Sequence, residues 1–404
     1  MNILQIIDTC CPPDNYNRAD GTTRVVTQLC HYYVNTCQDT CYIGYFHDNE
    51  INVVAPEFSD SIKLTLPIDT EELSLFIEGH AIDIIQYNVP GKQYMQLIPT
   101  ISKVAHAQHI PMVYCFHFMP GREWCDYGTF DEVMFAITHQ ESVKIKFKHW
   151  LITKYRPLCE KIAKFKIRKK YNFAYRNCDK IVLFVESYID KYLDIIGGGN
   201  RNKFIAIPNP LTYTDFLAKD KVRAKDKEVV IVGRLSEGQK RISIALQIWQ
   251  LIEKNPLLNE WTLKIVGYGE DDAFYHCLAN KYHLKRVSFE GHQDPRPYYK
   301  RAAIMISTAG YEGWPMVFME AMPMGCCCLS FDSYDSIHDI IEDGYNGRII
   351  PDYDIKEYVN NLTELMLDNE LRIKMGINAI DSSSRFTMEK IGAEWRALLE
   401  ELAV

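Results

Sequence analysis

The chain has 404 residues, too many for one ordinary domain, and its 47% apolar and 24% charged residues indicate a globular protein with a large core. A net charge of -8 argues against a general nucleic-acid binder. The 13 cysteines form neither a disulfide framework nor a C-x-x-C metal knuckle, so we expect buried thiols in a reducing compartment. The first apolar run has the length of a strand and no basic region before it, and no run reaches 18 apolar residues, so we expect neither a signal peptide nor a membrane span.

Short β-branched runs alternate with helical stretches along nearly the whole chain. Because these runs are apolar throughout, they predict parallel strands covered by helices on both faces. The predicted strands are 3–7, 42–46, 82–87, 112–116, 181–185 and 204–207 in the first half, and 229–232, 262–266, 287–289, 304–307, 326–331 and 347–350 in the second.

Two such blocks of similar size predict an α/β protein with two doubly wound, Rossmann-like domains. Prolines at 208 and 210 mark the boundary, which gives domains of residues 1–207 and 208–385. The last segment, from residue 386, is amphipathic and predicts a helix.

Two glutamates, Glu312 and Glu320, follow a predicted strand in the second half. Pro315 suits the first position of a helix predicted over 317–324, which Gly325 would stop. The backbone N–H groups at the start of such a helix favour a phosphate. Glu312 would accept hydrogen bonds from sugar hydroxyls, and Glu320 from a ribose diol. The alternative interpretation is a capped surface helix.

A cationic pair, Arg234 and Lys240, follows the strand predicted at 229–232, with residues 239–242 opening the next helix. Two fixed cations in such a place would oppose the negative charge of a diphosphate. Arg241 is an alternative to Lys240, and the sequence leaves that choice open. A solvated surface pair is the other interpretation.

Gly21 and His117 are the candidates in the first half. Gly21 lies in a loop that follows the first strand and opens a helix. His117 follows a buried strand at its carboxyl end, the edge at which ligands bind in such sheets. A structural histidine is the alternative.

The segments Glu312-Gly-Trp-Pro and Glu320-Ala-Met, with Gly233-Arg-Leu and Gln239-Lys-Arg, resemble the Glu-x7-Glu signature and the Gly-Arg-Leu…Lys element of retaining nucleotide-sugar glycosyltransferases of family 4. The resemblance implies a GT-B fold, in which two Rossmann-like domains face a central cleft and the C-terminal helix, 386–404, crosses back to the first domain. It implies catalytic roles for Glu312, Arg234, Lys240 and His117, and donor contacts at Gly21, Arg234, Lys240, Glu312, Gly313, Pro315, Met316, Val317 and Glu320.

The resemblance further implies a metal-independent reaction without a cofactor. The enzyme would move a hexosyl or N-acetylhexosaminyl group, with retention, from a nucleoside diphosphate sugar to a saccharide acceptor. A UDP-sugar donor and a lipid-linked acceptor are expected, in the biosynthesis of cell-surface polysaccharide or lipopolysaccharide. Two alternatives are a sugar-nucleotide epimerase on the same fold and a non-catalytic nucleotide-sugar-binding protein.

Residues 144–170 carry eleven lysines and arginines against one glutamate, with aromatic residues between them. Such a helical segment suits an anionic membrane surface, since each cation near it adds roughly 1 kcal/mol. The sequence therefore predicts a cytoplasmic protein that binds peripherally to the inner leaflet of the cell membrane. The alternative is a solvated helix beside the acceptor.

Overall fold

The structure, a computed structural model, describes residues 1–10, 21–48, 54–89, 94–122, 147, 150–151 and 154–403. The chain divides into two compact units, the first from residues 1–124, 160–210 and 386–404, and the second from residues 125–159 and 211–385. Each unit contains one parallel sheet with helices, as the α/β prediction requires.

The first unit holds a seven-stranded sheet in the order β3-β2-β1-β4-β5-β6-β7. Its strands are β1 (Asn2–Thr9), β2 (Thr40–His47), β3 (Phe58–Lys63), β4 (Ile84–Tyr87), β5 (Met112–Cys115), β6 (Lys180–Leu183) and β7 (Phe204–Ala206). The helices before residue 200 are α1 (Gly21–Asn35), α2 (Thr70–Gly79), α3 (Ile98–Ala107), α4 (Arg156–Asn177) and α5 (Glu186–Ile196). The strand order reverses between β1 and β4, which is the doubly wound arrangement.

The sequence predictions include every one of these strands except β3. Its sequence, Phe-Ser-Asp-Ser-Ile-Lys, has only two apolar residues, Phe58 and Ile62, and both are buried. Because β3 is an edge strand with a neighbour on one side only, it lacks the continuous apolar run of the buried central strands.

The second unit holds a six-stranded sheet in the order β10-β9-β8-β11-β12-β13. Its strands are β8 (Asp226–Val232), β9 (Thr262–Val266), β10 (Val287–Gly291), β11 (Ala302–Ser307), β12 (Cys327–Asp332) and β13 (Gly347–Pro351). The helices are α6 (Glu237–Lys240), α7 (Ile242–Glu253), α8 (Asp272–Lys281), α9 (Arg296–Arg301), α10 (Met316–Ala321), α11 (Ile337–Ile340), α12 (Ile355–Leu367) and α13 (Asn369–Ser383). Here the order reverses between β8 and β11, so the six strands repeat the order of the first six strands of the other sheet.

The last helix, α14 (Met388–Leu402), belongs to the first unit and packs on α1. At the contact Gly392 is needed, because a Cβ there would lie 2.6 Å from the Tyr32 ring. Arg396 reaches the buried carboxylate of Asp39 at 3.2 Å, and the N-terminal amine of Met1 lies 2.6 Å from the same side chain. These contacts hold α14 beside the starts of β1 and β2.

None of the helices in the described part of the chain combines the length and the apolar composition needed to cross a bilayer.

Candidate active site

The carboxyl ends of β8 and β11 carry the principal candidates of the second unit. The two strands pair in parallel, with Val229 opposite Ile304 and Val230 opposite Met305, at the point where the strand order reverses. Such a point leaves a crevice in which ligands of doubly wound sheets bind. A small cavity between the strand ends is lined by Ile231, Val232, Gly233, Lys240, Ile242, Ile306, Ser307, Thr308 and Val317.

Lys240 and Glu312 meet in this crevice. The Lys240 Nζ lies 2.5 Å from Glu312 Oε1, and the Gln239 Nε2 donates to Glu312 Oε2 at 3.2 Å. Glu312 is only 8% exposed, and burial strengthens the ion pair by lowering the local dielectric. The structure therefore joins two candidates that the sequence separates by 72 residues.

Arg241 does not share this position, although the sequence left it as an alternative to Lys240. Its guanidinium pairs with Asp352 at 2.7 Å and lies over the Tyr353 ring at 4.3 Å. It also covers Gly310, where a Cβ would lie 2.2 Å from a guanidinium nitrogen. Arg241 thereby fixes the loop that leads to Glu312.

The prediction that residues 239–242 open a helix is wrong in its boundary. Lys240 ends the single turn α6, and Arg241 takes a left-handed conformation, with φ of 48°, before α7 begins at Ile242. The contacts of the Arg241 side chain compensate for this unfavourable backbone conformation. Lys240 consequently projects from a separate turn that precedes the helix.

Arg234 lies exposed in the loop after β8. Its charge acts on Glu270, whose pKa is held below its usual value by a hydrogen bond with its own backbone, a hydrogen bond with Ser236 and the Arg234 cation. An exposed arginine in this loop retains the side-chain freedom to reach an anion.

Glu320 is buried in α10, with 4% of its surface exposed. Tyr299 Oη donates to Glu320 Oε2 at 3.0 Å, and Thr212 Oγ1 donates to Glu320 Oε1 at 3.3 Å. Burial, followed by the negative charge of Glu320, raises the pKa of Tyr299 well above its usual value. Sequence reasoning missed both partners, since Thr212 is 108 residues away and no local motif marks it.

The helix that carries Glu320 is shorter than predicted. It spans Met316–Ala321, and Pro315 occupies its N-cap instead of its first helical position. Pro323 has no N–H to donate, so the chain leaves the helix two residues before it, and Gly325 follows in a turn. Gly313, Met316 and Val317 are half-buried where the helix begins. Six residues give a weak macrodipole, so an anion here would depend on individual N–H groups.

The Gly-x-Gly turn after β9 packs against the loop that bears Arg234. A Cβ on Gly267 would lie 1.9 Å from the backbone oxygen of Gly233, and one on Gly269 would lie 2.3 Å from that of Leu235. Leu235 N also donates to Tyr268 O at 2.8 Å. The two glycines therefore allow one loop to support the other.

In the first unit, His117 lies two residues beyond the end of β5. Its Nε2 is 3.3 Å from Oδ1 of Asn88, which directly follows β4. Gly21 is the exposed first residue of α1, and the rest of its predicted loop, residues 11–20, lies outside the described residues.

Comparisons with known proteins find a family match within the second unit. Residues 214–382 match the family described as Glycosyl transferases group 1. An uncharacterized glycosyltransferase of Haemophilus influenzae is 30% identical over 229 residues, which cover 56% of this chain and 62% of the relative. The lipopolysaccharide 1,6-galactosyltransferase of Salmonella typhimurium is 29% identical over 167 residues, which cover 39% of this chain and 45% of the relative. The chain thus matches less than two thirds of the length of these relatives.

Among solved structures, Anabaena HepE in complex with UDP superposes with a TM-score of 0.71 at 15% identity, over 99% of this chain and 100% of the other. At that identity the likeness concerns the fold alone. Residues 214–382 therefore match the family of glycosyl transferases group 1, and the fold of the chain is the GT-B fold.

Proposed function

We propose that the protein is a retaining glycosyltransferase of family 4 that moves a hexosyl or N-acetylhexosaminyl group from a nucleoside diphosphate sugar to a saccharide acceptor. The observation that carries the proposal is the contact of Lys240 with Glu312 at the carboxyl ends of β8 and β11. A cation and a carboxylate in one crevice suit a ligand that joins a phosphate to a sugar. The family match of residues 214–382 supports the same reading.

In this proposal each charged residue has one task. Lys240 and Arg234 oppose the negative charge that grows on the departing diphosphate, together with the backbone N–H groups of Gly313, Met316 and Val317. Glu312 accepts hydrogen bonds from the transferred sugar, and Glu320 accepts them from the ribose diol. His117 contacts the transferred sugar.

Retention is assigned to front-face substitution. No residue is proposed as a nucleophile, since Glu312 is assigned to the sugar hydroxyls. The acceptor hydroxyl attacks from the face that the diphosphate leaves, and a departing phosphate oxygen takes the hydroxyl proton. The bond from the sugar to the acceptor oxygen forms as the bond to the phosphate oxygen breaks.

The donor in this proposal is a UDP-sugar, and the acceptor is a lipid-linked saccharide of a cell-surface polysaccharide or lipopolysaccharide. Two similar proteins support these choices. The solved structure of HepE is a complex with UDP, and the Salmonella typhimurium relative is a lipopolysaccharide 1,6-galactosyltransferase. The reaction would take place in the cytoplasm, at the inner leaflet.

Helix α4 supports a membrane location. Its buried residues are Ala163, Ile167, Tyr171 and Ala174. An exposed apolar row, which we call the α4 stripe, lies on the opposite side of the helix and consists of Leu158, Ile162 and Phe165. Phe165 is 73% exposed, and exposed lysines flank the stripe at 161, 166 and 169. An apolar row between lysines fits the boundary between lipid headgroups and acyl chains. Lys144, Lys146 and Lys148 of the basic stretch lie outside the described residues.

The test is a thermal-shift panel of nucleotides and nucleotide sugars, because a ligand that binds only the folded state raises apparent stability. UDP and one UDP-sugar are expected to raise Tm more than other nucleotides do. Product analysis with and without an acceptor then separates transfer from epimerisation and from binding alone. If no panel member raises Tm, the donor class is wrong.

A further inference from the structure

Three buried amide side chains form a hydrogen-bonded chain that ends on His117. Gln5 in β1 is the register neighbour of Gln86 in β4, and Asn88 directly follows β4. They are 2%, 1% and 4% exposed, respectively. Gln5 Nε2 donates to Gln86 Oε1, and Asn88 Nδ2 donates to Gln5 Oε1 at 2.7 Å. The Asn88 Oδ1 then meets His117 Nε2 at 3.3 Å. We call Gln5, Gln86 and Asn88 the amide chain.

One backbone carbonyl fixes the direction of the amide chain. Asn88 Nδ2 lies 3.2 Å from the backbone oxygen of Gln86 and 2.7 Å from Gln5 Oε1. A carbonyl oxygen only accepts, so the Asn88 atom that faces it must be the NH2 group. The other atom, Oδ1, therefore faces His117 and accepts. It follows that His117 Nε2 carries a proton and donates it to this bond.

The place of the amide chain in the fold indicates a role beyond packing. Gln5 and Gln86 interrupt the apolar runs of β1 and β4, the two strands between which the order of the first sheet reverses. Burying an amide costs free energy unless it is hydrogen-bonded, whereas leucine or isoleucine would pack there without that cost. This polar chain ends on a half-buried histidine at the carboxyl edge of the sheet, where ligands bind.

We infer that Gln5, Gln86 and Asn88 are positioning residues that hold His117 in the tautomer with the proton on Nε2. In the neutral ring, Nδ1 then carries the lone pair and accepts a hydrogen bond from a hydroxyl of the transferred sugar. This inference rests on the proposed function for the task of His117. The tautomer and its dependence on the amide chain are properties of the protein that are measurable without substrate.

The first experiment is NMR of the full chain labelled with 15N-histidine, with the His117 signals assigned by their loss in His117→Gln. In the wild type, Nε2 is expected to show the shift of a protonated nitrogen and Nδ1 that of an unprotonated one. Asn88→Ala removes the acceptor, and Gln5→Leu acts without touching the ring. Both are expected to move His117 towards a mixture of tautomers.

Asn346→Ala is the matched control. Asn346 is as buried as the amide chain, but it bridges Glu342 N and Ile340 O in the second unit, so this variant is expected to leave the His117 signals unchanged. A wild-type ring protonated at Nδ1 overturns the inference. So does a tautomer that stays the same in folded Asn88→Ala and Gln5→Leu.

The second experiment is a double-mutant cycle on transfer activity. Asn88→Ala is expected to lower kcat by on the order of tenfold to a hundredfold, the scale of a misplaced positioning group. In a His117→Ala background it should cause no further loss, whereas Asn346→Ala should have the same effect in both backgrounds. Equal losses from Asn88→Ala in both backgrounds would mean that Asn88 serves stability alone. If no donor supports transfer, the proposed function fails, and the NMR result still decides the inference.

Discussion

Lys240 and Arg241 are neighbours in the chain with different surroundings, and their variants are expected to fail in different ways. Lys240→Ala removes the cation beside Glu312, so kcat should fall by on the order of 10²-fold or more, and Arg234→Ala should do the same. Arg241→Ala leaves Asp352 without its partner and uncovers Gly310, so it should mainly lower the free energy of unfolding, by about 1–3 kcal/mol.

Steady-state kinetics and urea unfolding of the same three proteins separate these effects. Lys227→Ala is the matched control, because Lys227 is an exposed lysine paired with Glu260 and should matter for neither quantity. Near-normal kcat in both Lys240→Ala and Arg234→Ala would refute their assignment to the diphosphate.

Substitutions of Glu312 and Glu320 should have different effects, because the proposed partners of the two carboxylates are different parts of the donor. Glu320→Ala is expected to weaken UDP binding by roughly 1.5–3 kcal/mol, the value of a hydrogen bond to a charged group. Glu312→Ala should lower turnover more than UDP affinity, because its partner is the sugar. Calorimetric titration with UDP measures the first effect and kinetics the second. If Glu320→Ala and the wild type bind UDP with equal affinity, Glu320 does not bind the ribose.

At the scale of elements, α4 makes a prediction about location. Wild-type protein should sediment with vesicles rich in anionic lipid and should release at high salt, because attraction to such a surface is screened within about 8 Å at physiological salt. Ile162→Ser with Phe165→Ser should weaken binding by removing most of the α4 stripe. Vesicle binding should also weaken when charge is removed by changing three lysines together to Gln, namely Lys161, Lys166 and Lys169.

The control for that loss of charge is the replacement of Lys221, Lys281 and Lys285 by Gln, which removes three exposed lysines of the second unit. This variant should bind anionic vesicles like the wild type. If the wild type ignores anionic vesicles at low salt, α4 is a solvated helix and a soluble acceptor is the better proposal.

The sequence predicted some elements and their boundaries correctly and others not. The central strands were predictable because residues buried on both faces give continuous apolar runs, as in 229–232 within β8. The edge strand β3 was not predicted, because three polar residues separate its two apolar residues, Phe58 and Ile62. The start of α7 was misplaced because the left-handed Arg241 depends on Asp352 and Tyr353, which are more than 100 residues away.

At the scale of the whole molecule, adjacency of strands explains which parts of the candidate site were predictable. Lys240 and Glu312 both follow strands of one parallel sheet, and the resemblance to the family 4 motifs had already grouped them. The choice between Lys240 and Arg241 could be made only from the structure, because the left-handed backbone conformation of Arg241 decides which of the two side chains reaches Glu312. The amide chain could also be found only from the structure. Single glutamines in apolar runs do not indicate a hydrogen-bonded chain until β1 and β4 are known to be neighbours.

The expected independence of metal ions is a property of the complete enzyme and is testable on it. If Lys240, Arg234 and the backbone N–H groups of Gly313, Met316 and Val317 hold the diphosphate, the charge on the leaving group is opposed without a divalent ion. Transfer activity should then survive an excess of EDTA, and UDP should raise Tm equally with and without the chelator. Added Mg²⁺ or Mn²⁺ should not increase kcat in the wild type. The Lys240→Ala variant serves as the internal comparison, because a protein that has lost a cation is the one in which an added metal ion has most to contribute. Loss of wild-type activity in EDTA, restored by Mg²⁺ or Mn²⁺, would place a metal ion at the diphosphate and reduce Lys240 and Arg234 to supporting charges.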